Sequence, residues 1–283
     1  MKLPVSVDLS GKVAVVTGGA GVLCREFAMA LALCGAKTAI LNRTLSRAEQ
    51  VAKNIRAAGG EAVAVQADVT DSQSVAAAYE TVRAAYGPCD ILLNGAGGNR
   101  PDATTDDEFF SPEVLADAEK KSFFDLDESA FDGVFSLNLK GTLLPTRYFA
   151  RDMAAAGHGV ILNVSSMNAF TPLTKIPAYS AAKAAVSNFT QWLAVYFAKT
   201  GIRVNAIAPG FFSTAQNAAL LWNPDGTPTA RSGKILTATP MGRFGRPEEL
   251  IGTLLWLVDD GCSGFVTGIT VPVDGGFSAY RGV

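Results

Sequence analysis

Histidine is nearly absent from this chain of 283 residues, in which His158 is the single copy. A zinc site or a charge relay built on several imidazoles therefore lacks its ligands. Cysteine is sparse as well, and Cys24, Cys34, Cys89 and Cys262 include no C-x-x-C pair, which favours reduced thiols over a disulfide framework. We expect no metal site, and we interpret His158 as a loop residue before a strand.

Long hydrophobic runs are missing too. No stretch reaches the roughly 18 apolar residues that a membrane-spanning helix requires, and the first four residues lack the apolar core of a signal peptide. Charge of one sign is not in excess, because 24 Lys and Arg nearly balance 26 Asp and Glu. Without a basic surface, neither nucleic acid nor an anionic membrane is an expected partner. These absences favour a cytoplasmic protein that acts on a small molecule.

Short apolar segments alternate with longer amphipathic segments along most of the chain. Near-continuous apolar strands separated by helices are typical of a parallel sheet that helices cover on both faces. The pattern predicts an α/β fold, with one domain over residues 1–283 and a doubly wound parallel sheet of about seven strands. Strands are predicted near residues 13–17, 38–41, 62–66, 91–93, 160–164, 203–207 and 268–273, and later helices near 131–156, 179–199 and 247–257.

Two segments interrupt this alternation. Residues 99–127 are rich in acidic side chains and phenylalanine, and residues 211–240 contain several prolines and glycines. Connections of this length in a compact α/β domain are usually functional loops or lids. We therefore expect a substrate loop in the first segment and a lid in the second.

Tyr179 and Lys183 are four residues apart in a predicted helix, so their side chains lie on one face about one turn apart. An ammonium group near a phenol lowers the cost of forming the phenolate. Because a free phenol with a pKa of about 10 is a poor acid or base near neutral pH, this spacing predicts a tyrosine adapted to carbonyl or alcohol chemistry. The pair alone is equally compatible with two ordinary residues of a helix surface.

A glycine-rich loop, residues 17–21, follows the first predicted strand and precedes a predicted helix. Backbone N–H groups and the helix dipole can hold a pyrophosphate at such a position. The match to T-G-x-x-x-G-x-G is imperfect, because Val22 and Cys24 occupy the second and third glycine positions. A simple tight turn is the alternative. The residues expected at the pyrophosphate are Gly18, Gly19, Gly21, Val22 and Leu23.

The second and third predicted strands end in residues that bear on the choice of cofactor. Asn42 and Arg43 stand where a carboxylate would accept hydrogen bonds from the ribose hydroxyls of NAD. An arginine there could pair with a 2′-phosphate, which slightly favours NADP(H) over NAD(H), although Arg43 could equally be solvated. Asp68 and Val69 could meet the adenine, and an ordinary turn aspartate is the alternative.

With Asn138, Ser166, Tyr179 and Lys183 following in order, the chain resembles the short-chain dehydrogenase/reductase family over about residues 10–277. The resemblance implies a Rossmann-type fold. It also implies that Tyr179 is the general acid and base, and that Lys183 lowers its pKa and holds the nicotinamide ribose. Ser166 would polarise the substrate carbonyl, and Asn138 would belong to a proton relay.

The same resemblance implies more cofactor contacts and an assembly. Residues 94–97 read Asn-Gly-Ala-Gly, with Gly95 in place of the family's second asparagine, and would pack near the adenosine ribose. Residues 209–214 would meet the nicotinamide carboxamide. Family members are commonly tetramers, so we expect a homo-oligomer, either a tetramer or a dimer. These additional cofactor residues are Asn94, Ala96, Gly97, Pro209, Gly210, Phe212 and Thr214.

The two interrupting segments resemble a sugar-acid branch of the family, that of fructuronate reductase or D-mannonate oxidoreductase. A polyhydroxy acid needs amide or hydroxyl partners and a cation for its carboxylate. Other substrates stay open, namely another polyol, an aldonate as in gluconate 5-dehydrogenase, or a 3-oxoacyl compound. A dinucleotide-binding sensor without turnover is an alternative of another class. The expected substrate residues are Asn99, Arg100, Asn168 and Gln216.

Overall fold

A parallel sheet of seven strands forms the centre of the protein, whose computed structural model describes residues 7–214 and 218–282. Its strands pair in the order β3-β2-β1-β4-β5-β6-β7, and every pair is parallel. The predicted doubly wound α/β sheet is confirmed. The strands are β1 (Val13–Thr17), β2 (Lys37–Asn42), β3 (Glu61–Gln66), β4 (Ile91–Asn94), β5 (Gly159–Val164), β6 (Ile202–Pro209) and β7 (Thr270–Val273).

Helices cover both faces of the sheet. Within the part of the chain that the structure describes, none of them has the length and apolar character needed to cross a membrane. His158 lies in the loop before β5, as predicted. The helices are α1 (Val22–Leu33), α2 (Leu45–Ala57), α3 (Ser72–Tyr86), α4 (Glu128–Phe135), α5 (Gly141–Ala156), α6 (Pro177–Phe197), α7 (Ala218–Leu221), α8 (Ala230–Ala238), α9 (Ile251–Val258) and α10 (Asp260–Ser263).

The predicted helices over residues 131–156 and 247–257 differ from the structure. A π-helical segment, Ser136–Lys140, separates α4 from α5, so the predicted helix over 131–156 is not regular α-helix throughout. The predicted helix over 247–257 begins as a 3₁₀ turn, Pro247–Leu250, before α9. Helix α6 begins at 177 because Pro177 occupies its first turn, where the missing N–H and the fixed φ of proline are favourable.

Alternate side chains of each strand enter two separate cores. In β1, Ala14 and Val16 pack with α1, α2 and α9, whereas Val13 and Val15 pack with α3, α5 and α6. The four side chains are at most 3% exposed. Full burial of an aliphatic side chain such as valine contributes about 1.5–3 kcal/mol, so a strand buried on both faces is strongly held in the centre of the sheet. This burial explains why β1 reads as a continuous apolar run.

The strand order creates a crevice at one edge of the sheet. The chain moves outward from β1 to β2 and β3, then returns to place β4 on the other side of β1. Loops that leave β1 and β4 at their carboxyl ends therefore diverge, and such a switch point is where doubly wound sheets bind ligands. The glycine-rich loop follows β1 and residues 95–100 follow β4, so both border this crevice.

Among their described residues, the segments 99–127 and 211–240 contain helical turns, the short helices α7 and α8, and no strand. The first, which we call the insertion, is fixed to the approach to α6, because Thr105 N donates to the Lys175 carbonyl at 2.9 Å. Lys175 Nζ donates in turn to the Asp106 carbonyl at 2.6 Å. The insertion also contacts the second segment, through an ion pair of 2.7 Å between Glu108 and Lys234 of α8.

Candidate active site

The glycine-rich loop places the first turn of α1 at the crevice. Gly18 has a left-handed φ of +61°, and a Cβ there would come within 2.8 Å of the Ala96 Cα, so glycine is required. Gly21 is the N-cap and has no side chain that could cap the helix. The first-turn N–H groups of α1 have no acceptor within the helix and can receive an anion such as a pyrophosphate. Gly19 instead packs against Val16 and Ile40.

A cleft of about 350 Å³ extends from this loop. Its walls include most of the predicted residues for the adenosine half of a cofactor. Val22 and Leu23 do not line it, and neither does Asn94, whose amide points into the sheet and donates to Thr146 at 3.0 Å and Asn163 at 2.9 Å. The predicted cofactor residues that line the cleft are Gly18, Gly21, Asn42, Arg43, Asp68, Val69, Ala96 and Gly97.

The adenosine end of the cleft carries more positive charge than the sequence suggested. Arg47 lines it together with Arg43 and donates to the Ala20 carbonyl of the glycine loop at 3.5 Å. The glycine-rich loop itself contains no basic residue, and Arg47, which lies in α2, is not among the predicted cofactor residues. The available signal was the position of Arg47 in the first turn of α2, four residues after Arg43.

Asp68 keeps its carboxylate available as an acceptor at the same end. Thr70 donates to it from its backbone N–H at 2.9 Å and from its hydroxyl at 2.7 Å. These hydrogen bonds, the hydroxyl first, lower the pKa of Asp68 below its ordinary value. An ionised carboxylate at this place accepts hydrogen bonds and donates none, as an amino group of a purine requires.

Asn138 lies in the π-helical segment and is fully buried. Its Nδ2 donates to the carbonyls of Val134 at 2.8 Å and Gly98 at 2.7 Å, and its Oδ1 accepts from Gly98 N at 3.2 Å. A π-turn breaks the i to i−4 ladder, which leaves a carbonyl such as that of Val134 for a side-chain amide. The irregularity in the helix therefore serves to hold the loop after β4.

Lys183 lies on the other side of that loop. Its buried ammonium donates to the Val164 carbonyl at 2.8 Å, where β5 ends. A Cβ at Gly97 would come within 2.7 Å of Asn138 Oδ1 and 3.0 Å of Lys183 Nζ, so only glycine lets the loop pass between the two. Burial lowers the pKa of Lys183 from 10.5 to about 8, because removal from water disfavours the ammonium form.

Tyr179 is partly buried beside Lys183, whose Nζ is 5.6 Å from the centroid of the phenol ring. Burial raises the pKa of Tyr179 above its ordinary value of 10.0, and a hydrogen bond with the Ser166 side chain lowers it in part. The expectation that Lys183 lowers this pKa stays a prediction, because a net rise caused by burial does not measure the effect of the ammonium. The ammonium is held by the Val164 carbonyl, and the loss of solvent around the phenol is the larger effect.

Ser166 and Asn168 form a polar pair at the start of a 3₁₀ turn, Met167–Ala169. The Asn168 backbone N–H donates to the Ser166 hydroxyl at 3.2 Å, and both side chains are buried. Among the described residues, the Oδ1 atom of Asn168 has no hydrogen-bond partner. This buried acceptor lies two residues from the hydroxyl that contacts Tyr179.

The other predicted substrate residues are more dispersed. Asn99 is exposed and donates to Thr104 at 3.1 Å. Arg100 lines the cofactor cleft, where its guanidinium covers Gly133 so closely that a Cβ there would lie 2.6 Å from Cζ. The prediction at Gln216 lies outside the described residues.

The nicotinamide side of the predicted cofactor site follows β6. Gly210 N donates to the Val273 carbonyl at 2.9 Å, and a Cβ at Gly210 would come within 2.6 Å of Asp274 Cα. Phe212 is buried and forms an isolated bridge with Gly245, and Thr214 is partly buried. The residues from Pro209 onward thus leave the sheet at the same carboxyl edge as β1 and β4, although they do not line the cleft of the adenosine half.

Comparison with known proteins identifies the family. The family model described as short chain dehydrogenase matches residues 12–223. The chain belongs to this family. It is 56% identical over 281 residues to the uncharacterized oxidoreductase UxuB of Bacillus subtilis, covering 99% of this chain and 100% of the relative. The predicted membership is confirmed, and the protein is an NAD(P)-dependent oxidoreductase.

Two solved structures show how far the likeness extends. A proposed D-mannonate oxidoreductase from Haemophilus influenza, solved with bound NAD, has a TM-score of 0.94 and 52% identity, with all of both chains covered. A gluconate 5-dehydrogenase from Burkholderia cenocepacia, solved with NADP and tartrate, has a TM-score of 0.81 and 30% identity, covering 98% of this chain and 99% of that one. Structures of this kind therefore hold either cofactor.

Proposed function

We propose that this protein interconverts a ketone and a secondary alcohol on a sugar acid of the fructuronate and mannonate type. The observation that carries the proposal is the buried Asn168 Oδ1, which has no partner among the described residues. A buried polar atom left without a hydrogen bond costs about 1–3 kcal/mol, and a substrate hydroxyl would remove that cost. A polyhydroxy acid offers such donors near its reacting carbonyl. The likeness to a proposed D-mannonate oxidoreductase supports the same class.

The proposed chemistry assigns one task to each residue. The first turn of α1 would hold the pyrophosphate, and Lys183 would hold the nicotinamide ribose beside Gly97. A nicotinamide cofactor supplies or accepts the hydride. In reduction, Tyr179 gives its proton to the substrate oxygen while the Ser166 hydroxyl donates a hydrogen bond to the developing alkoxide. Asn138 holds the Gly98 peptide against this group and would belong to the path that returns the proton.

A panel of substrates tests the proposed reaction. Oxidation of NADH and NADPH is followed by absorbance with hexuronates, other keto acids of polyols, and 3-oxoacyl esters. We expect turnover with a hexuronate and almost none in Tyr179→Phe, since a positioned general acid contributes about 10²–10⁴-fold. Turnover confined to 3-oxoacyl or other polyol substrates would replace the substrate assignment. Cofactor binding without turnover on any carbonyl compound would favour a sensor.

Asn168 provides the sharper test of substrate class. Asn168→Ala should raise KM for the hexuronate about tenfold, because one hydrogen bond to a buried amide is lost, and should change KM little for a small ketone without hydroxyl groups. Asn54→Ala, at an exposed position of α2, is the matched control. Equal losses with both substrates in Asn168→Ala would show that the residue has no role in recognising hydroxyl groups.

For the cofactor we propose that both NAD(H) and NADP(H) bind, with a small preference for NADP(H). Arg43 and Arg47 at the adenosine end support this preference, because a guanidinium pairs well with a phosphate. The NAD bound in the Haemophilus influenza structure supports use of NAD as well. Arg43→Ala and Arg47→Ala should weaken NADPH binding and leave NADH binding nearly unchanged in fluorescence titrations. Equal losses for both cofactors would contradict a contact to the 2′-phosphate.

We also propose a homo-oligomer, a tetramer or a dimer, that acts in the cytoplasm. Trp192, Val195 and Tyr196 on α6 are exposed, and the rings of Trp192 and Tyr196 stack at 4.9 Å. Leu143 on α5 is exposed too. A surface of large apolar side chains on adjacent helices favours contact with a second copy. The free thiols of Cys24, Cys34 and Cys89 are consistent with a reducing compartment.

A further inference from the structure

Two residues that depart from the family's cofactor pattern are in direct contact. Cys24 is in the first turn of α1, and Gly95 is the first residue after β4. The Cys24 thiol is buried and donates to the Gly95 carbonyl at 3.6 Å. A Cβ added at Gly95 would overlap the sulfur atom of Cys24. A side chain at position 95 and the sulfur of Cys24 would therefore need the same space. Only one of the two positions can fill it.

This volume lies between the two loops of the cofactor crevice. Thr17 Oγ1, at the end of β1, accepts from the backbone N–H groups of Gly95 at 3.1 Å and Ala96 at 3.3 Å. Gly18 approaches the Ala96 backbone so closely that a Cβ would meet it at 2.8 Å. The loop after β1 and the loop after β4 are thus packed together, with Cys24 filling the space behind that contact.

The loop after β4 also contacts the side chains of Asn138 and Lys183. Gly97, two residues after Gly95, passes between Asn138 and Lys183. A displacement of the Gly95 backbone would therefore change both the first turn of α1 and the space beside the Lys183 ammonium. Protein interiors are packed densely enough that an added methyl group moves its neighbours.

We propose that Cys24 and Gly95 are a matched pair of positioning residues, which sets the separation of the two cofactor loops and thereby the affinity for the nicotinamide cofactor. The pair acts through volume. Burial raises the pKa of the Cys24 thiol to about 12, so the sulfur is neutral and poorly nucleophilic at physiological pH. This proposal does not depend on the identity of the sugar-acid substrate.

A double-mutant cycle tests the pair. Gly95→Ala places a methyl group against the sulfur and should raise the NADH Kd by about tenfold, the effect expected when a packed contact is overfilled. Cys24→Ala alone should change the Kd by less than about threefold, since it only removes one buried atom. The double variant Cys24→Ala with Gly95→Ala should recover most of the NADH affinity, because the new methyl group enters the space of the sulfur and keeps only the tight contacts with the Thr17 carbonyl at 3.0 Å and Leu93 Cδ2 at 3.1 Å.

The readouts are the NADH Kd from fluorescence titration and the thermal midpoint of the protein without cofactor. Gly252→Ala and Cys34→Ala control for the two kinds of substitution, since a Cβ at Gly252 would meet no atom within 4 Å and Cys34 caps the end of α1 opposite its first turn. The proposal is overturned if the fold-change in Kd of the double variant equals the product of the fold-changes of the two single variants. An unchanged Kd in Gly95→Ala would overturn it as well. A loss of thermal midpoint with no change in Kd would assign the pair a structural role only.

If Gly95→Ala does not fold, recovery of folded protein by Cys24→Ala supports the shared volume, and failure to recover contradicts it. Binding of NADH is measured without any sugar acid. A failure of the proposed substrate would therefore leave this result unaffected, and a failure here would leave the substrate panel unaffected.

Discussion

The phenol of Tyr179 experiences two opposed influences, burial that raises its pKa and the Ser166 hydroxyl that lowers it. In the direction of alcohol oxidation the residue must accept a proton, and the phenolate is scarce below its pKa. We therefore expect kcat/KM for oxidation to rise with pH across the neutral range, and the rate of reduction to fall at high pH.

Ser166→Ala should move the rising limb of the oxidation profile to higher pH, because the variant removes the hydrogen bond that favours the phenolate. The position of the limb is measured from kcat/KM over a pH series, separately from the overall loss of rate. A limb that stays in place or moves to lower pH would contradict the assigned contact. Ser187→Ala is a suitable control, because that hydroxyl interacts with Ser165 instead.

Lys183 gives a prediction about stability. Its pKa is lowered to about 8 in the folded protein and is near 10.5 when unfolded. Between these values the unfolded chain binds more protons, so the contribution of Lys183 to the free energy of unfolding improves as pH rises. At pH 7 the buried Lys183 ammonium destabilises the folded protein. This destabilisation should disappear completely only above the pKa of Lys183 in the unfolded chain.

Lys183→Met should therefore have a larger free energy of unfolding than the wild type near neutral pH, with a smaller difference at pH about 9.5, where the wild-type ammonium is largely deprotonated in the folded state. The measurement is the free energy of unfolding of both proteins in urea at the two pH values. A difference that does not vary with pH would show that Lys183 is not destabilised by burial. Lys140→Met serves as the control, because Lys140 is exposed.

At the scale of elements, the insertion connects parts of the site that are distant in sequence. Lys175, four residues before Tyr179, has a left-handed φ of 71° and binds Asp106 of the insertion through its ammonium. Asp127 ends the insertion and caps α4, accepting from Ala130 N at 2.6 Å. Helix α6, which carries Tyr179, and α4, which leads into the π-helical segment of Asn138, thus both begin next to the insertion, which favours a role in arranging them.

The ion pair between Glu108 and Lys234 joins the insertion to the segment 211–240 at 2.7 Å. Because both groups reach solvent, Glu108→Gln should change the thermal midpoint little. We expect it to raise the substrate KM and to leave the NADH Kd unchanged, and we expect salt to raise the wild-type KM in the same way.

Lys120→Gln is the matched control, since Lys120 pairs with Asp107 within the insertion at 2.9 Å and does not reach α8. Equal effects of Glu108→Gln and Lys120→Gln on KM would mean that the link between the two segments does not matter for substrate binding. A change in the NADH Kd would place the effect on the cofactor side instead.

At the scale of the molecule, the exposed rings of α6 predict the assembly. Trp192 is 56% exposed and stacks between Phe189 and Tyr196. Trp192→Arg should dissociate the oligomer, because a charge would enter a contact built of apolar surface. Sedimentation velocity measures the change. Leu33→Arg, at an exposed apolar site on α1, is the control. If both variants sediment as species of the same mass, α6 is not part of the interface.

The sequence predicted the strands of the sheet well, because β1, β2, β4 and β5 are mostly buried apolar runs bounded by turns. It predicted less at α4 and α5, where the π-helical segment depends on Asn138 donating to Val134 and Gly98. No local preference encodes that irregularity. The side-chain amide competes with the helix ladder only once the loop after β4 has been packed against it.

By itself the sequence determined the fold class, the family, and the order of Asn138, Ser166, Tyr179 and Lys183, because periodicity and motif spacing are properties of the chain. Only the tertiary structure decided the direction of the Tyr179 pKa shift, the second arginine of the cofactor cleft, and the contact of Cys24 with Gly95. Desolvation and packed volume depend on neighbours that are distant in sequence, so they exist only once the sheet has brought those neighbours together.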